Sequence, residues 1–428
     1  MTDTIAVLIF VGAYVLIATE WVHRVVVALA GAGLMLLFKV LDANEAFSSE
    51  TLGIDWNVIF LLLGMMIIVG VLRQTGLFEY LALWAAQRSR GRPFAVLTML
   101  ILITAVASAL LDNVTTILLI APVTVLIAER LGVSFVPFLV AEVLASNIGG
   151  TATYVGDPPN ILIGSAADHS YMDFLVNLGP LVVLLLIVYV GLSRWLFRDA
   201  LGFHPDRVRE VMSLDPREVL APGPLLRQAL GVLVIVTLGF LLQDVIGYQP
   251  SVIALLGAGV LLLIAQRSAD DALREVEWET LLFFMGLFVM VGGLTKAGVF
   301  TDLADLLIDV TNGDLLATTM LLLVMSAVLS AFVDNVPYVA AMIPLVGALA
   351  AELPGDTVVL WWALAIGADL GGNATSIGAS ANVVALGVAE RSGFKIRFTE
   401  FLRYGLPTVA ITVGISIAYL WLRYFALR

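Results

Sequence analysis

The chain has 428 residues, 61% of them hydrophobic and 13% charged, with a mean hydropathy of +1.03, whereas ordinary soluble domains carry roughly 25% charged residues. A reading as two or three soluble domains is thereby excluded, and the composition is that of a protein that crosses a membrane many times. The net charge of −12 is spread over separate loops, which excludes nucleic acid as a partner. The lack of any cysteine excludes disulfides, thiolate metal sites and a thiol nucleophile, and His23, His169 and His204 are too far apart in sequence to predict a histidine metal cluster.

The first residues, MTDTIAVLIF, carry Asp3 and no basic residue before Arg24, unlike the basic start of a secretory signal, and are expected to form a retained first span. Apolar segments of helical length fall at about 4–20, 24–41, 56–73, 94–110, 115–129, 135–146, 160–168 and 175–193, and again at 225–244, 251–266, 278–295, 315–333, 337–350, 358–369, 383–390 and 404–425. A full span needs about 20 apolar residues, so several of these cannot cross alone, and they come in pairs interrupted by polar tips. The polar stretch from Arg194 to Arg227 reads as a linker. It divides the chain into a first membrane repeat over 1–195, a cytoplasmic linker over 196–227 and a second membrane repeat over 228–428.

An internal repeat underlies this division. Trp56, Gly64, Gly70, Gly76, Phe78, Asp112, Asn113 and Pro122 match Trp278, Gly286, Gly292, Gly298, Phe300, Asp334, Asn335 and Pro344 at a single offset of 222 residues. Gly149, Gly150, Thr153, Gly156 and Asn160 match Gly371, Gly372, Thr375, Gly378 and Asn382 at the same offset. Most of the matched positions are polar, Gly or Pro, which chance similarity between two greasy stretches would not align. Arg73, Arg88, Arg90, Arg92 and Arg130, with Arg194, Arg198, Arg207, Arg209, Arg217 and Arg227 of the linker, mark a cytoplasmic side. The stretch 300–314 of the second half instead holds Asp302, Asp305, Asp309 and Asp314 without a basic residue. The two repeats are therefore expected to face opposite ways. Ten spans, two of them broken, plus two re-entrant hairpins satisfy the pattern with both termini outside, leaving Lys39, Lys296, Arg423 and Arg428 external. Trp21, Trp56, Trp278 and Trp421 read as interface anchors.

Two duplicated motifs carry the chemistry. LLDNVTTILLIAP and FVDNVPYVAAMIP each interrupt two apolar segments with an Asp-Asn pair, and Pro337 sits where a first helical turn can lose its N–H without cost. Each is predicted to be a hairpin tip, with Asp112, Asn113, Thr115, Thr116, Asp334 and Asn335 facing the bundle or water, since exposed polar backbone is not tolerated at depth. Helix capping by Asp112 and Asp334 is the plainer alternative, but ionisable groups inside membrane segments are costly and usually functional. ASNIGGTATYVGDPPNILIG and GADLGGNATSIGASANVVALG read as broken helices. Gly149-Gly150 and Gly371-Gly372 stop one half-helix, Asn147, Thr151, Thr153, Asp369, Asn373 and Thr375 line the break, and Asn160 or Asn382 is expected to cap the next half-helix. Glu142 could serve a proton relay or a structural role, and Asp157, before two prolines, reads as a turn residue.

DNVTT with APVT, AEV with NIGG and GDPPN, DNVP with MIP, and LGGN with IGASANVV resemble the ion transporter superfamily. Within it they resemble the branch of bacterial arsenite-efflux permeases and the melanosomal P protein, related also to citrate and dicarboxylate transporters. The resemblance implies an all-α polytopic fold of two inverted repeats, each with a re-entrant hairpin and a broken helix, and secondary active transport. It also implies that Asp112, Asn113, Thr115, Asp334, Asn335 and the two Gly-Gly loops line a central site. Dicarboxylate carriers of the superfamily usually have Ser-Asn-Thr at the tips, where this chain has Asp-Asn.

The leading expectation is a proton-coupled antiporter exporting a small inorganic solute by alternating access, arsenite or antimonite first, with Asp112 and Asp334, then Asp369 and Glu142, as proton-coupling groups. The alternative is a sodium/proton antiporter. Citrate or dicarboxylate transport ranks third because no Arg or Lys is evident inside the membrane to meet an anion. An intramembrane aspartyl protease would need a Gly-x-Gly-Asp motif, which is absent, so the chain is not read as an enzyme. No cofactor is expected beyond the coupling H+ or Na+. The expected partners are the solute and the bilayer, with a homodimer, and a cytosolic ATPase subunit for an arsenite pump, compatible with the class. The location is the cell membrane, the inner membrane in a bacterium.

Overall fold

The computed structural model describes residues 2–19, 21–49, 51–198, 202, 212–213, 215–266 and 269–427; His204, Arg207, Arg209 and Arg428 lie outside them. Among the described residues the only regular secondary structure is helical. The first half runs α1 (Thr2–Ala18), α2 (Arg24–Leu37), α3 (Ala43–Ser48), α4 (Trp56–Arg73), α5 (Leu77–Arg88), α6 (Pro93–Leu110), α7 (Asn113–Leu131), α8 (Val136–Gly150), α9 (Pro158–Ala167) and α10 (Tyr171–Leu196). The second half runs α11 (Leu225–Leu241), α12 (Gln243–Ile246), α13 (Pro250–Ala265), α14 (Ala269–Arg274), α15 (Trp278–Lys296), α16 (Val299–Thr311), α17 (Leu315–Ser330), α18 (Asn335–Glu352), α19 (Val358–Gly371), α20 (Ser380–Arg391) and α21 (Phe398–Trp421). Seven helices among the described residues are at least 18 residues long and apolar enough to cross a membrane, and a further set of 10–17 residues is apolar but short.

Six helices start 222 residues after a counterpart: Trp56 and Trp278, Leu77 and Val299, Pro93 and Leu315, Asn113 and Asn335, Val136 and Val358, Pro158 and Ser380. The sequence repeat is thus also a repeat of helix boundaries. Helices α6 and α7 meet at Leu111-Asp112 and α17 and α18 at 331–334, while 151–157 and 372–379 separate α8 from α9 and α19 from α20. The apolar pattern alone passed over α5 and α16. Helix α16 is amphipathic, burying Phe300 and Ala304 against a face of aspartates, and α5 is a short helix of mixed polarity that buries Phe78, Ala82, Leu83, Ala85 and Ala86. Each starts after a glycine in the left-handed region, Gly76 at φ 73 and Gly298 at φ 75, which L-residues adopt at a cost. Helix α16 meets α17 at a bend of 117°.

The halves interlock rather than sit side by side. Helix α4 packs along α13 and α15 along α2, and likewise α9 packs on α18 and α20 on α7. With no water to expel from between helices in lipid, close backbone approach supplies the attraction, which favours small residues at crossings. A Cβ on Gly64 would stand 2.7 Å from the Ala254 carbonyl carbon, and one on Gly286 would stand 2.6 Å from that of Ala28. At the ends of this interlock, Lys296 Nζ donates to both oxygens of Glu45 at 2.7 Å, which holds the Glu45 carboxyl below its ordinary range. Arg73 Nη1 lies 3.7 Å from Glu275 Oε2. The described part of the linker docks through Ala221 N–H, which donates to Thr75 O at 2.9 Å. Arg194, counted with the linker in the sequence, belongs to α10 and lies 4.9 Å from the Phe94 ring centre.

Gly286→Val should prise α15 from α2 and cost about 1–3 kcal/mol, as overpacking of a tight contact does. Gly259→Ala, where an added Cβ meets nothing within 4 Å, should be neutral. Thermal melting of purified protein followed by size-exclusion chromatography measures both.

Candidate functional site

The two hairpin tips and the two helix breaks converge on a buried chain of amides around one carboxylate. Asn113 Nδ2 donates to Asp157 Oδ2 at 2.6 Å and to Asn147 Oδ1 at 3.1 Å. Asn335 Nδ2, from the other tip, reaches Asp157 Oδ1 and Oδ2 at 3.3 Å each. Asn147 Nδ2 then donates to Asn373 Oδ1 at 2.9 Å and Asn382 Oδ1 at 3.2 Å. Asn373 returns to the first half through a bond to Leu144 O at 3.2 Å. Asn113, Asn147, Asp157, Asn335, Asn373 and Asn382 are all at most 2% exposed.

Each break is stitched by the same four bonds. Ser108 Oγ donates to Ser146 O at 2.8 Å, and its repeat mate Ser330 Oγ donates to Ala368 O at 2.7 Å. Thr153 Oγ1 donates to Ala109 O at 2.6 Å, and Thr375 Oγ1 to Ala331 O. Asn160 Nδ2 donates to Gly150 O at 3.2 Å and Thr153 O at 3.1 Å, and Asn382 Nδ2 to Gly372 O at 2.8 Å and Thr375 O at 2.7 Å. Thr151 Oγ1 bonds back to Asn147 O at 2.9 Å. Gly149 and Gly371 sit against the backbones of Ala105 and Ala327, and Gly150 and Gly372 against Gly156 and Gly378, where a Cβ has no room.

These bonds correct two expectations. Asn160 and Asn382 do not cap α9 and α20: Pro158 and Ser380 already open those helices, so each Asn lies inside the first turn and turns its amide back to the carbonyls freed by the preceding half-helix. Asp157 is more than a turn residue. It sits at the N-cap of α9 without bonding a backbone N–H there, and its carboxylate instead holds both tip asparagines. Its repeat mate is Ala379, so repeat matching hid it; the usable signal was an acidic residue inside a helix break flanked by apolar sequence.

The tip aspartates stand at the rim of the cluster. Asp112 Oδ1 accepts from Thr115 N at 2.7 Å and Asp334 Oδ1 from Val336 N at 3.2 Å, so both cap their helices. Asp334 is in addition 3.4 Å from Arg24 Nη1. Sequence placed Arg24 at the end of a span, and the fold brings it to the second tip. Thr116 is buried with its hydroxyl unpaired, and the buried Asp369 carboxylate lies beside Thr151 and Asn160 without a well-formed hydrogen bond to either. Glu142 stands apart, accepting from Thr124 Oγ1 at 2.6 Å.

A cavity of about 50 Å³ lies between the tips, lined by Asp112, Asn113, Asp157, Asn335, Met65 and Phe284 among others. At roughly 10–15 Å³ per water on this measure, it takes a body of a few heavy atoms. A cleft of about 830 Å³, lined by His23, Trp278, Glu279 and Asp334 among others, opens beside it.

The citrate-transporter family profile matches residues 14–367 of the chain. An uncharacterized transporter of Mycobacterium tuberculosis is 52% identical over 427 residues, covering 99% of both chains. The human P protein is 34% identical over 97% of this chain and 59% of its own length. Among solved structures, MtrF of Neisseria gonorrhoeae, described as one of a class of antimetabolite efflux pumps, superposes with a TM-score of 0.61 at 13% identity over 92% of this chain and 85% of that one. The YdaH transporter of Alcanivorax borkumensis, described as having an unusual topology, gives 0.58 at 15% identity over 95% and 98%. At these identities the two structures establish the likeness of fold.

Asn382→Ala frees the carbonyls of Gly372 and Thr375 and removes an acceptor from Asn147. Each buried polar group left unpaired costs about 1–3 kcal/mol, so the variant should lose stability markedly in chemical denaturation. Asn382→Asp, which keeps the shape but not the donor, should lose it as well.

Proposed function

The chain belongs to the citrate-transporter family of the ion transporter superfamily and is a multi-pass membrane transporter, and from that premise we propose that it is a proton-coupled antiporter exporting a small uncharged inorganic solute. Arsenite or antimonite is the first candidate. The observation that carries this reading is Asp157, a buried carboxylate met only by neutral amides from both hairpin tips. An ionised carboxylate without a counter-charge in a dry interior is unfavourable, so a proton and a solute that offers hydroxyls to Asn113 and Asn335 are natural alternatives there.

In this reading the hairpins enter from opposite faces and the two repeats rock around the amide cluster. Proton arrival at Asp157, with Asp369 as the second site, releases the solute outside, and proton departure inside restores the acceptor for the next. A solute with several hydroxyls fits the small cavity and needs no thiol, because a carrier must let go of what it binds. Asp112 and Asp334, as helix caps, supply the shape of the tips. Sodium/proton exchange is the second reading, favoured by Asn113 Oδ1, a buried oxygen without a hydrogen-bond partner beside the Asp157 carboxylate. Citrate or dicarboxylate transport is the third, since Arg24, the guanidinium at the cavity, is engaged with Asp334.

The test is flux in proteoliposomes under imposed pH or sodium gradients with arsenite, antimonite, citrate, phosphate and sodium. Uphill arsenite movement driven by the pH gradient is the expected result, lost in Asp157→Asn and Asp369→Asn. It should persist in Asp112→Asn, because Asn caps a helix about as well as Asp. Gradient-driven flux unchanged in Asp157→Asn would sink the assignment, and a sodium gradient as sole driver would favour the second reading.

A further inference from the structure

The small cavity and the wide cleft are counterparts in the repeat. Asp112, Val155 and Ile161 line the cavity, and the residues 222 positions on, Asp334, Ile377 and Val383, line the cleft. Yet the cavity holds about 50 Å³ and the cleft about 830 Å³. Val155 and Ile161 are 3% and 1% exposed, against 38% and 46% for Ile377 and Val383. Matching sequence therefore takes two arrangements in one molecule, closed in the first repeat and open in the second.

The difference lies between α4 and α9 and between their counterparts, α15 and α20. Leu62 on α4 and Ile161 on α9 both line the small cavity. Counted outward from them along each helix, Asp55 at the N-cap of α4 lies roughly 10 Å away and Ser165 on α9 roughly 6 Å away. The two helices pack together, and Ser165 Oγ donates to Asp55 Oδ2. Asp55 Oδ1 accepts from the N–H groups of Asn57 and Val58 at 2.9 and 3.2 Å, which holds the carboxylate in place for the serine. In the second repeat the cleft runs between the matching helices, with Glu277, Thr280 and Phe283 on one wall and Ser380, Val383 and Val384 on the other. Glu277 is the mate of Asp55, but the mate of Ser165 is Gly387, which offers it no hydroxyl. Glu277 Oε2 instead accepts from Thr280 Oγ1 on its own helix at 3.2 Å.

The closed and open ends lie on opposite faces. Arg73, at the other end of the 18-residue α4 from Asp55, is 3.7 Å from Glu275, close in sequence to the cleft-lining Glu277. The length of α4 puts roughly 27 Å between Asp55 and that face. We propose that the Ser165–Asp55 bond is the latch of a second gate: it keeps α9 on α4 and seals the small cavity against the face opposite the cleft, while the second repeat lacks the serine and rests open. Opening the second gate is then the parting of α9 from α4 into a cleft like the one between α20 and α15. This rests on the carrier reading above, in which the central site meets each face in turn, and it names the residues that govern one of those faces.

Because the chain has no cysteine, single thiols report each gate. Ile161→Cys places one in the small cavity and Val383→Cys places its counterpart in the cleft. The probe is trimethylammonium-ethyl methanethiosulfonate, which is membrane-impermeant and too large for a space of about 50 Å³. It therefore reaches Ile161→Cys only when the cavity has opened. Labelling rates of the full chain are measured in oriented proteoliposomes, with the probe applied from one face or the other.

Ser165→Ala should raise the Ile161→Cys rate from the face opposite the cleft about tenfold, as loss of a hydrogen bond to a carboxylate predicts. The rate from the cleft face should stay as it was, and Ser165→Thr, which keeps the hydroxyl, should restore the original rates. No rise, or an equal rise from both faces as a loosened fold would give, overturns the latch. Gly387→Ser, where an added Cβ meets nothing within 4 Å, supplies the missing hydroxyl opposite Glu277 and should slow labelling of Val383→Cys from the cleft face severalfold. That variant leaves the first repeat intact and decides the matter if Ser165→Ala fails to fold; an unchanged rate would overturn the account of why the second repeat rests open. Labelling needs no solute and no gradient, so its failure is distinguishable from failure of the antiporter reading.

Discussion

Inside a bilayer, every backbone N–H and C=O must find a partner within the protein, and this requirement governs the structure at its two helix breaks. Ending α8 at Gly150 and α19 at Gly371 frees carbonyls that no water is available to hydrate. Asn160 and Asn382 take two carbonyls each, the Ser108 and Ser330 hydroxyls bind Ser146 O and Ala368 O, and the Thr153 and Thr375 hydroxyls tie the breaks to Ala109 O and Ala331 O at the ends of α6 and α17. These bonds fix where each half-helix stops and resumes, and so bring the loops close enough to the hairpin tips for Asn113 and Asn335 to share one carboxylate.

The interlock of the halves serves the same end. Each hairpin arm packs on the half-helix of the other repeat, α7 on α20 and α18 on α9, so a tip cannot shift without carrying part of the opposite break. The Gly64–Ala254 and Gly286–Ala28 contacts leave no slack for sliding. Between the halves, Asn147 bonds Asn373 and Asn382 and so ties the first break to the second.

The repeats agree in scaffold and differ in charge. Gly, Ser, Thr and Asn of the breaks are duplicated, whereas Asp157 stands opposite Ala379, Asp369 opposite Asn147 and Glu142 opposite Leu364. Duplicated residues close hydrogen bonds that any broken helix must close. Of the singular carboxylates, Asp157 joins the two tips at the centre, whereas Glu142 stands apart on Thr124.

The sequence by itself determined the membrane class, the repeat, the hairpins and the helix breaks, because these rest on local properties: apolar length, glycine and proline placement, and polar residues that recur at one offset. It also marked Asn113, Asn335, Asn147 and the Gly-Gly pairs, which lie at those interruptions. Helices α5 and α16 escaped it, α5 because it is short and of mixed polarity and α16 because it is held by burial of one face rather than by overall apolarity. Only the tertiary structure decided what the carboxylates do. Asp157 lacks a repeat mate and reads locally as a turn residue, and it becomes the hub when tips from two halves, 178 residues apart between Asp157 and Asn335, meet on it. Arg24 sits at a helix end in sequence and reaches Asp334 across 310 residues. Partners that far apart leave no trace in local periodicity, and their pairing exists only where the folded chain places them together.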